Sequence, residues 1–243
     1  MDKKSTYMTL AAIVLLGGAF VYWRSQVKQE PTAHVVLVTD TSSSVLKNCN
    51  AWAETVRKSL TGLNITEDSR FGLIHTGSVA KSSMAAGLAM DTPIPIDSTF
   101  GGSAEGGQTR GQFLAAIKTT CEGLPVADGS AVFRSVKMGL EHLRGLGCAG
   151  PSSCRLVIMG DLDENIDSEI AKRVHKGAPG PADKPVLENS FTYTELCGWE
   201  QITGGTLQRT DTQAIVDGFA GLFTVPPVRR PYCDGAASQA AVR

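Results

Sequence analysis

The apolar residues follow three rhythms along the chain, and each predicts a different kind of element. From Tyr7 to Trp23 they form one hydrophobic segment in which the only polar side chain besides the aromatic hydroxyls is Thr9. As a helix this segment reaches about 26 Å, the short end of a bilayer span. The second rhythm is a short solid run that ends in an aspartate. Val35-Val36-Leu37-Val38 leads into Thr39-Asp40, and Arg155-Leu156-Val157-Ile158-Met159 leads into Gly160-Asp161. Runs of this length predict strands buried on both faces, as in a parallel sheet covered by helices.

The third rhythm is helical, with apolar residues recurring every three or four positions. Val45, Cys49, Trp52, Val56 and Leu60 predict a helix ending near Gly62. Phe113, Leu114, Ile117 and Cys121 predict a second, and Val132, Val136, Leu140 and Leu143 a third that begins at Ala131. Ile166, Ile170 and Val174 give a short helix, and Ile215, Val216, Phe219, Leu222 and Phe223 the stripe of a last one. Arg70 to Thr76 alternates as a strand, with Phe71, Leu73 and His75 on one side, and Phe191 to Leu196 reads as another. His75 is then a half-buried strand residue rather than a metal ligand, because no second histidine or cysteine accompanies it.

Strand alternates with helix, which predicts an α/β fold: a doubly wound, mostly parallel sheet with helices on both faces, preceded by one transmembrane helix. The expected organisation is a cytoplasmic N-terminus (1–6), a membrane anchor or signal peptide (7–23), a polar linker with Pro31 (24–33), the domain (34–223) and a tail (224–243) marked by Pro226-Pro227. Residues 77–107 are rich in Gly and Ser and are expected to hold an edge strand and a mobile loop. Their glycines do not make a phosphate loop, since no apolar strand runs into them and no Gly-Lys-Ser or Gly-Lys-Thr follows.

The N-terminal segment has two readings. Lys3, Lys4, an apolar Leu10 to Leu16 and Gly17-Gly18-Ala19 suit a cleaved secretory signal. An uncleaved anchor is favoured because the run continues through Phe20 and Val21, with Tyr22, Trp23 and Tyr7 placed where interfacial aromatics belong. Lys3 and Lys4 are matched by Arg24 and Lys28, so charge does not orient it. All six cysteines follow the segment, which predicts a cytoplasmic N-terminus and an extracytoplasmic, periplasmic or extracellular, domain. Secretion after cleavage is the alternative.

Composition narrows the function. The chain has 243 residues, and its 42% hydrophobic content fills one medium domain or two small ones. With 23 Lys+Arg against 24 Asp+Glu and a net charge of -1, no basic surface for nucleic acid is expected. No cysteine falls in a CxxC pair, and His34, His75, His142 and His175 are far apart, so a zinc site is excluded.

Candidate chemistry collects at the carboxyl ends of the strands, where ligands bind in open α/β sheets. Three loops lie there: Asp40-Thr41-Ser42-Ser43-Ser44, Asp128-Gly129-Ser130 and Gly160-Asp161. Their carboxylates and hydroxyls are hard oxygen donors of the kind Mg²⁺ or Mn²⁺ requires, with Ca²⁺ a further candidate. With Asp40, Ser42 and Ser44 as an Asp-x-Ser-x-Ser motif, Gly129-Ser130 as the second loop and Asp161 in the third, the chain resembles the von Willebrand factor type A domain. The resemblance runs from about His34 to Phe223 and includes Ile202-Thr203-Gly204-Gly205-Thr206. It implies a metal-ion-dependent adhesion site. In such a site Ser42, Ser44 and Ser130 bind the metal directly, Asp40 and Asp161 act mostly through water, and an acidic side chain of a partner protein supplies the missing ligand. Ser130 stands for the usual Thr, and Gly160-Asp161-Leu162 for the commoner Thr-Asp-Gly.

Each feature also has a plainer reading. Asp40 to Ser44 would cap the helix starting near Val45, Ser130 would be a helix N-cap and Asp161 a strand-end turn. A rival cation site, Asp161-x-Asp163-x-Asn165-x-Asp167, fails as a calcium loop because Ile166 stands where Gly is needed and Lys172 where a bidentate Glu is needed. Asp163, Glu164, Asp167 and Glu169 then read as a solvated acidic loop and helix start. The expected function is metal-dependent binding of another protein, without catalysis. A metal-dependent hydrolase and a scaffold with a vestigial metal site are the alternatives; the first lacks a visible general base and any GxSxG or Ser-His-Asp grouping. Six cysteines allow fifteen pairings, and Cys148 with Cys154, flanking a short Gly/Pro/Ser turn, is the expected pair.

Overall fold

The computed structural model describes residues 32–42, 48–61, 63, 69–76, 89–93, 104–127, 129–148, 150–199 and 209–233. The anchor or signal segment 7–23, Ser44, Asp128 and the stretch 202–206 lie outside them. Among the described residues no helix is long and apolar enough to cross a membrane.

Every residue of β1 (His34–Asp40) is buried, as a strand covered on both faces requires. It is followed by α1 (Cys49–Ser59), β2 (Arg70–Thr76), β3 (Ala89–Pro93), α2 (Ala104–Gly123), α3 (Val132–Gly145), β4 (Cys154–Met159), α4 (Ser168–His175), β5 (Tyr193–Cys197), α5 (Arg209–Ala220) and β6 (Val228–Arg230). The strands form one sheet in the order β3-β2-β1-β4-β5-β6. All neighbours are parallel except β2 with β3, which places an antiparallel strand at one edge. The α/β, parallel-rich class expected from the sequence is thus present.

Strand alternation divides the core. Val36, Val38, Leu156, Ile158 and Leu196 face a layer built from α3, α4 and α5, including Val136, Leu140, Val174, Val216 and Phe219. Val35, Leu37, Phe71, Leu73, Val157 and Met159 face Trp52 and Val56 of α1 and Phe113 and Ile117 of α2. Phe71 and Phe113 meet edge to face at 5.2 Å between centroids.

Several boundaries differ from the sequence reading. The first helix begins at Cys49 rather than near Val45, because the Asn48 side chain accepts from the Ala51 N–H and caps it there. Helix α2 already runs through Glu105-Gly106-Gly107, which the glycine content assigned to a loop. Ile166 is 39% exposed and precedes α4, whose N-cap is Asp167. Leu222 and Phe223 lie beyond the end of α5 yet are buried. The residues after Phe223 are not all tail: Val228–Arg230 pair in parallel with β5, and Cys233 bonds to Cys197.

All six cysteines pair, as Cys49–Cys121, Cys148–Cys154 and Cys197–Cys233. The expected Cys148–Cys154 bridge is among them. Full pairing places the domain in an oxidising, extracytoplasmic compartment.

Candidate functional site

Strand register brings the candidate residues together. β1 and β2 run in step from His34 opposite Arg70 to Asp40 opposite Thr76, so both strands end at the same level. On the other side Thr39 pairs with Met159, and Gly160-Asp161 leaves the sheet beside Asp40. A Cβ at Gly160 would stand 3.0 Å from the Asp40 Cβ, a tight contact that the glycine avoids. The second loop is held by a bridge between Ser42 and Ala127 and by a 2.9 Å bond from the Ala127 N–H to the Thr41 carbonyl. Gly129 and Ser130 follow directly.

Asp40 is the hub, and its side chain is engaged by three segments far apart in sequence. Oδ1 accepts from the Ser42 backbone N–H at 2.8 Å and from the Thr76 hydroxyl at 2.7 Å. Oδ2 accepts from the Ser130 hydroxyl at 2.9 Å. The two hydroxyl oxygens lie 3.4 Å apart. Asp40, Ser42, Thr76 and Ser130 are all at most 4% exposed. A carboxylate so deeply buried needs such donors, because a bare one is strongly penalised outside water. All three donors are neutral.

These bonds decide against the plainer reading of Ser130 as a helix N-cap. The described first helix is capped by Asn48, leaving the Asp40 carboxylate to the cluster. Helix α3 has Ala131 at its N-cap with no side-chain cap, and the Ser130 hydroxyl turns to Asp40 instead.

The third loop is tied to the second. Asp161, 1% exposed, accepts from the Asp163 N–H at 3.1 Å. Leu162 follows with φ 62°, the left-handed region where glycine is at ease and leucine is strained. Its side chain is fully buried in the core beside α3, which holds it there. The Asn165 side chain accepts from the Ser130 N–H at 2.8 Å, and the Asn165 N–H donates to the Ser130 carbonyl at 3.2 Å.

Glu164 corrects the expectation of a solvated acidic loop. It is 1% exposed. One carboxylate oxygen accepts from the Phe133 N–H at 2.7 Å, and the other from the Ile166 and Asp167 N–H groups at 2.9 Å each. Glu164 thereby joins the start of α3 to the loop carrying Asp161. Burial pushes its pKa up, and the backbone donors oppose that shift. Asp163 instead faces His175, 2.6 Å away, and Asp167 caps α4. The four residues of the rival cation site thus have separate structural roles.

Of the expected site residues, Asp40, Ser42 and Ser130 meet in one cluster, Asp161 occupies the adjoining loop, and Ser44 lies outside the described residues. Thr76 was not singled out by sequence; the signal available was its place at the end of a strand paired in step with β1. Among the described residues no group of three or more His, Cys, Asp or Glu side chains is placed to hold a metal. His75 sits half-buried on the α1 and α2 side with Phe71 and Leu73, where burial lowers its pKa.

No family model matches the chain, and no curated protein matches it. Among solved structures it is similar to the open conformation of the pilus adhesin SpaC from Lactobacillus rhamnosus GG, with 11% identity and a TM-score of 0.48. That match covers 89% of this chain and 29% of the adhesin chain.

Proposed function

We propose that this chain is a membrane-anchored, extracytoplasmic protein-binding domain of the von Willebrand factor type A kind, with a metal-ion-dependent adhesion site at Asp40, Ser42, Ser44, Ser130 and Asp161. The observation that carries the reading is the Asp40 hub. A serine or threonine hydroxyl that donates its single proton to a carboxylate keeps its lone pairs for a cation. Ser130 and Thr76 are both in that state toward Asp40. The carboxylate is thereby engaged by hydrogen bonds and suits an outer role, balancing charge through water.

Mg²⁺ or Mn²⁺ fits this hard, all-oxygen set better than a softer metal, and Ca²⁺ fits the same donors with a looser shell. Ser42, Ser44 and Ser130 would hold the ion. Neutral direct ligands leave it electropositive, so an acidic side chain of a partner protein completes the shell. Anchorage through residues 7–23 rests on the sequence.

Titration of the full chain with Mn²⁺ by calorimetry tests the site. One ion is expected to bind wild type, and Asp40→Ala or Ser42→Ala to abolish the heat. Ser130→Ala is expected to weaken metal-dependent partner capture by about 1–3 kcal/mol, the worth of a charged contact. Variants that titrate like wild type while remaining folded would overturn the assignment. Partner capture unchanged by EDTA would leave a scaffold, and turnover of a phosphate ester would favour the hydrolase.

A further inference from the structure

Among the described residues, the helical cover on the α1 side of the sheet stops short. Beyond β4 the strands present charge rather than aliphatic side chains, and a hollow of about 340 Å³ opens between the end of α1 and β4, β5 and β6. Its charged lining is Lys58, Arg155, Glu195 and Arg230, with the ring of Tyr193 as one wall. None of these residues belongs to the Asp40 cluster.

Among the described residues the charges do not balance. Among the described residues of this lining Glu195 is the only carboxylate, and it is shared: one oxygen lies 3.2 Å from Arg230 Nε, and the other accepts from the Tyr193 hydroxyl at 3.2 Å. Arg155 also lies within electrostatic reach of Glu195. Arg155 donates through Nη1 to the Ser59 carbonyl at 2.8 Å, and its guanidinium carbon stands 5.8 Å from the centre of the Tyr193 ring. Those contacts fix the plane of the group while using one of its five donors. Burial disfavours its charge, and the nearby Tyr193 and Glu195 oppose that shift. Lys58 pairs outward with Glu54 at 3.4 Å.

We propose that this hollow binds a small organic oxyanion, a carboxylate or phosphate, between Arg155 and Arg230, with its body against Tyr193. Planar guanidinium groups match both anions in a two-pronged geometry. The volume lies at the lower end of small-molecule sites, which run from about 300 to 1,000 Å³. The proposal is independent of the metal reading.

Calorimetry on the full chain at low ionic strength, with inorganic phosphate and citrate as probes, tests it. Saturable binding of either is expected: phosphate alone assigns a phosphoryl ligand, citrate alone a carboxylate. Arg155→Gln and Arg230→Gln should each weaken binding by about tenfold, the loss of one charge-assisted contact. Glu195→Gln should tighten it, because it removes the competing carboxylate. Arg155 also supports the end of α1, so Arg230→Gln, on the edge strand, is the variant that keeps the test valid if Arg155→Gln does not fold. Absence of saturable binding by both probes, or wild-type affinity in folded Arg230→Gln, overturns the proposal.

Discussion

On the side of α3, α4 and α5, the sheet offers Val36, Val38, Leu156, Ile158 and Leu196 to a continuous apolar layer. On the side of α1 and α2 the same strands offer Val35, Leu37, Val157 and Met159, and beyond β4 the pattern turns to Tyr193, Glu195 and Arg230. The covalent links differ in parallel. The first side has the Cys148–Cys154 bridge, with a sequence separation of 6. The second has Cys49–Cys121, between α1 and α2, and Cys197–Cys233, between β5 and the chain after β6, with separations of 72 and 36. Closing a longer loop removes more entropy from the unfolded chain, so the bridges of the second side are expected to stabilise more than the short bridge of the first.

The contrast can be broken from the second side first. Cys49→Ala with Cys121→Ala should lower the unfolding free energy by about 4 kcal/mol, from loop entropy at this separation. Chemical denaturation under non-reducing conditions reads this directly, and a loss no larger than that from removing the short bridge would contradict the comparison.

On the first side the largest polar effect should come from Glu164→Ala. It strips the acceptor from the Phe133, Ile166 and Asp167 N–H groups and should cost about 2–4 kcal/mol. The same residue sets a pH slope. Its folded pKa is raised above the ordinary 4.5, so the folded state holds the proton more tightly than the unfolded one. Glu164 therefore lowers stability as pH rises from the unfolded value through the folded one, and the variant should lose that part of the slope in melts across this window.

Cys148→Ala with Cys154→Ala should cost about 2 kcal/mol, the smaller entropy of the short loop. The smallest effect belongs to Glu54→Ala on α1. Arg57 holds the Glu54 carboxyl down to about 2, but the pair is solvent-screened and worth less than about 0.5 kcal/mol. That contribution is present above pH 4.5 and fades as pH falls toward 2. Denaturant midpoints at pH 7 and pH 2 check it.

The sheet and most helices were legible because burial on both faces leaves unbroken aliphatic runs and amphipathic helices repeat every three or four residues. The loop positions of Asp40, Ser42, Ser130 and Asp161 were legible because each follows a strand or opens a helix. Thr76 and Glu164 were not, since their roles depend on tertiary pairing: one on the equal length of two strands in step, the other on three backbone donors from two loops. β6 was hidden by its three residues, too few for a period, and by Pro226-Pro227 before it. Cys233 was the one mark that the fold continues past Phe223.

The position of β1 has a mechanical consequence. It is bonded along seven positions to β2 and along six to β4, and the candidate binding residues stand at its far end, about 20 Å from His34. A pull between a tether at His34 and a partner held at Asp40 would run through the covalent backbone of β1, and the share of the load entering at Asp161 would cross from β4 to β1 in shear, where the ladder hydrogen bonds carry it together instead of opening one by one. Survival under such a pull is a matter of unfolding rate rather than equilibrium stability, and this layout sets the central strand against shear.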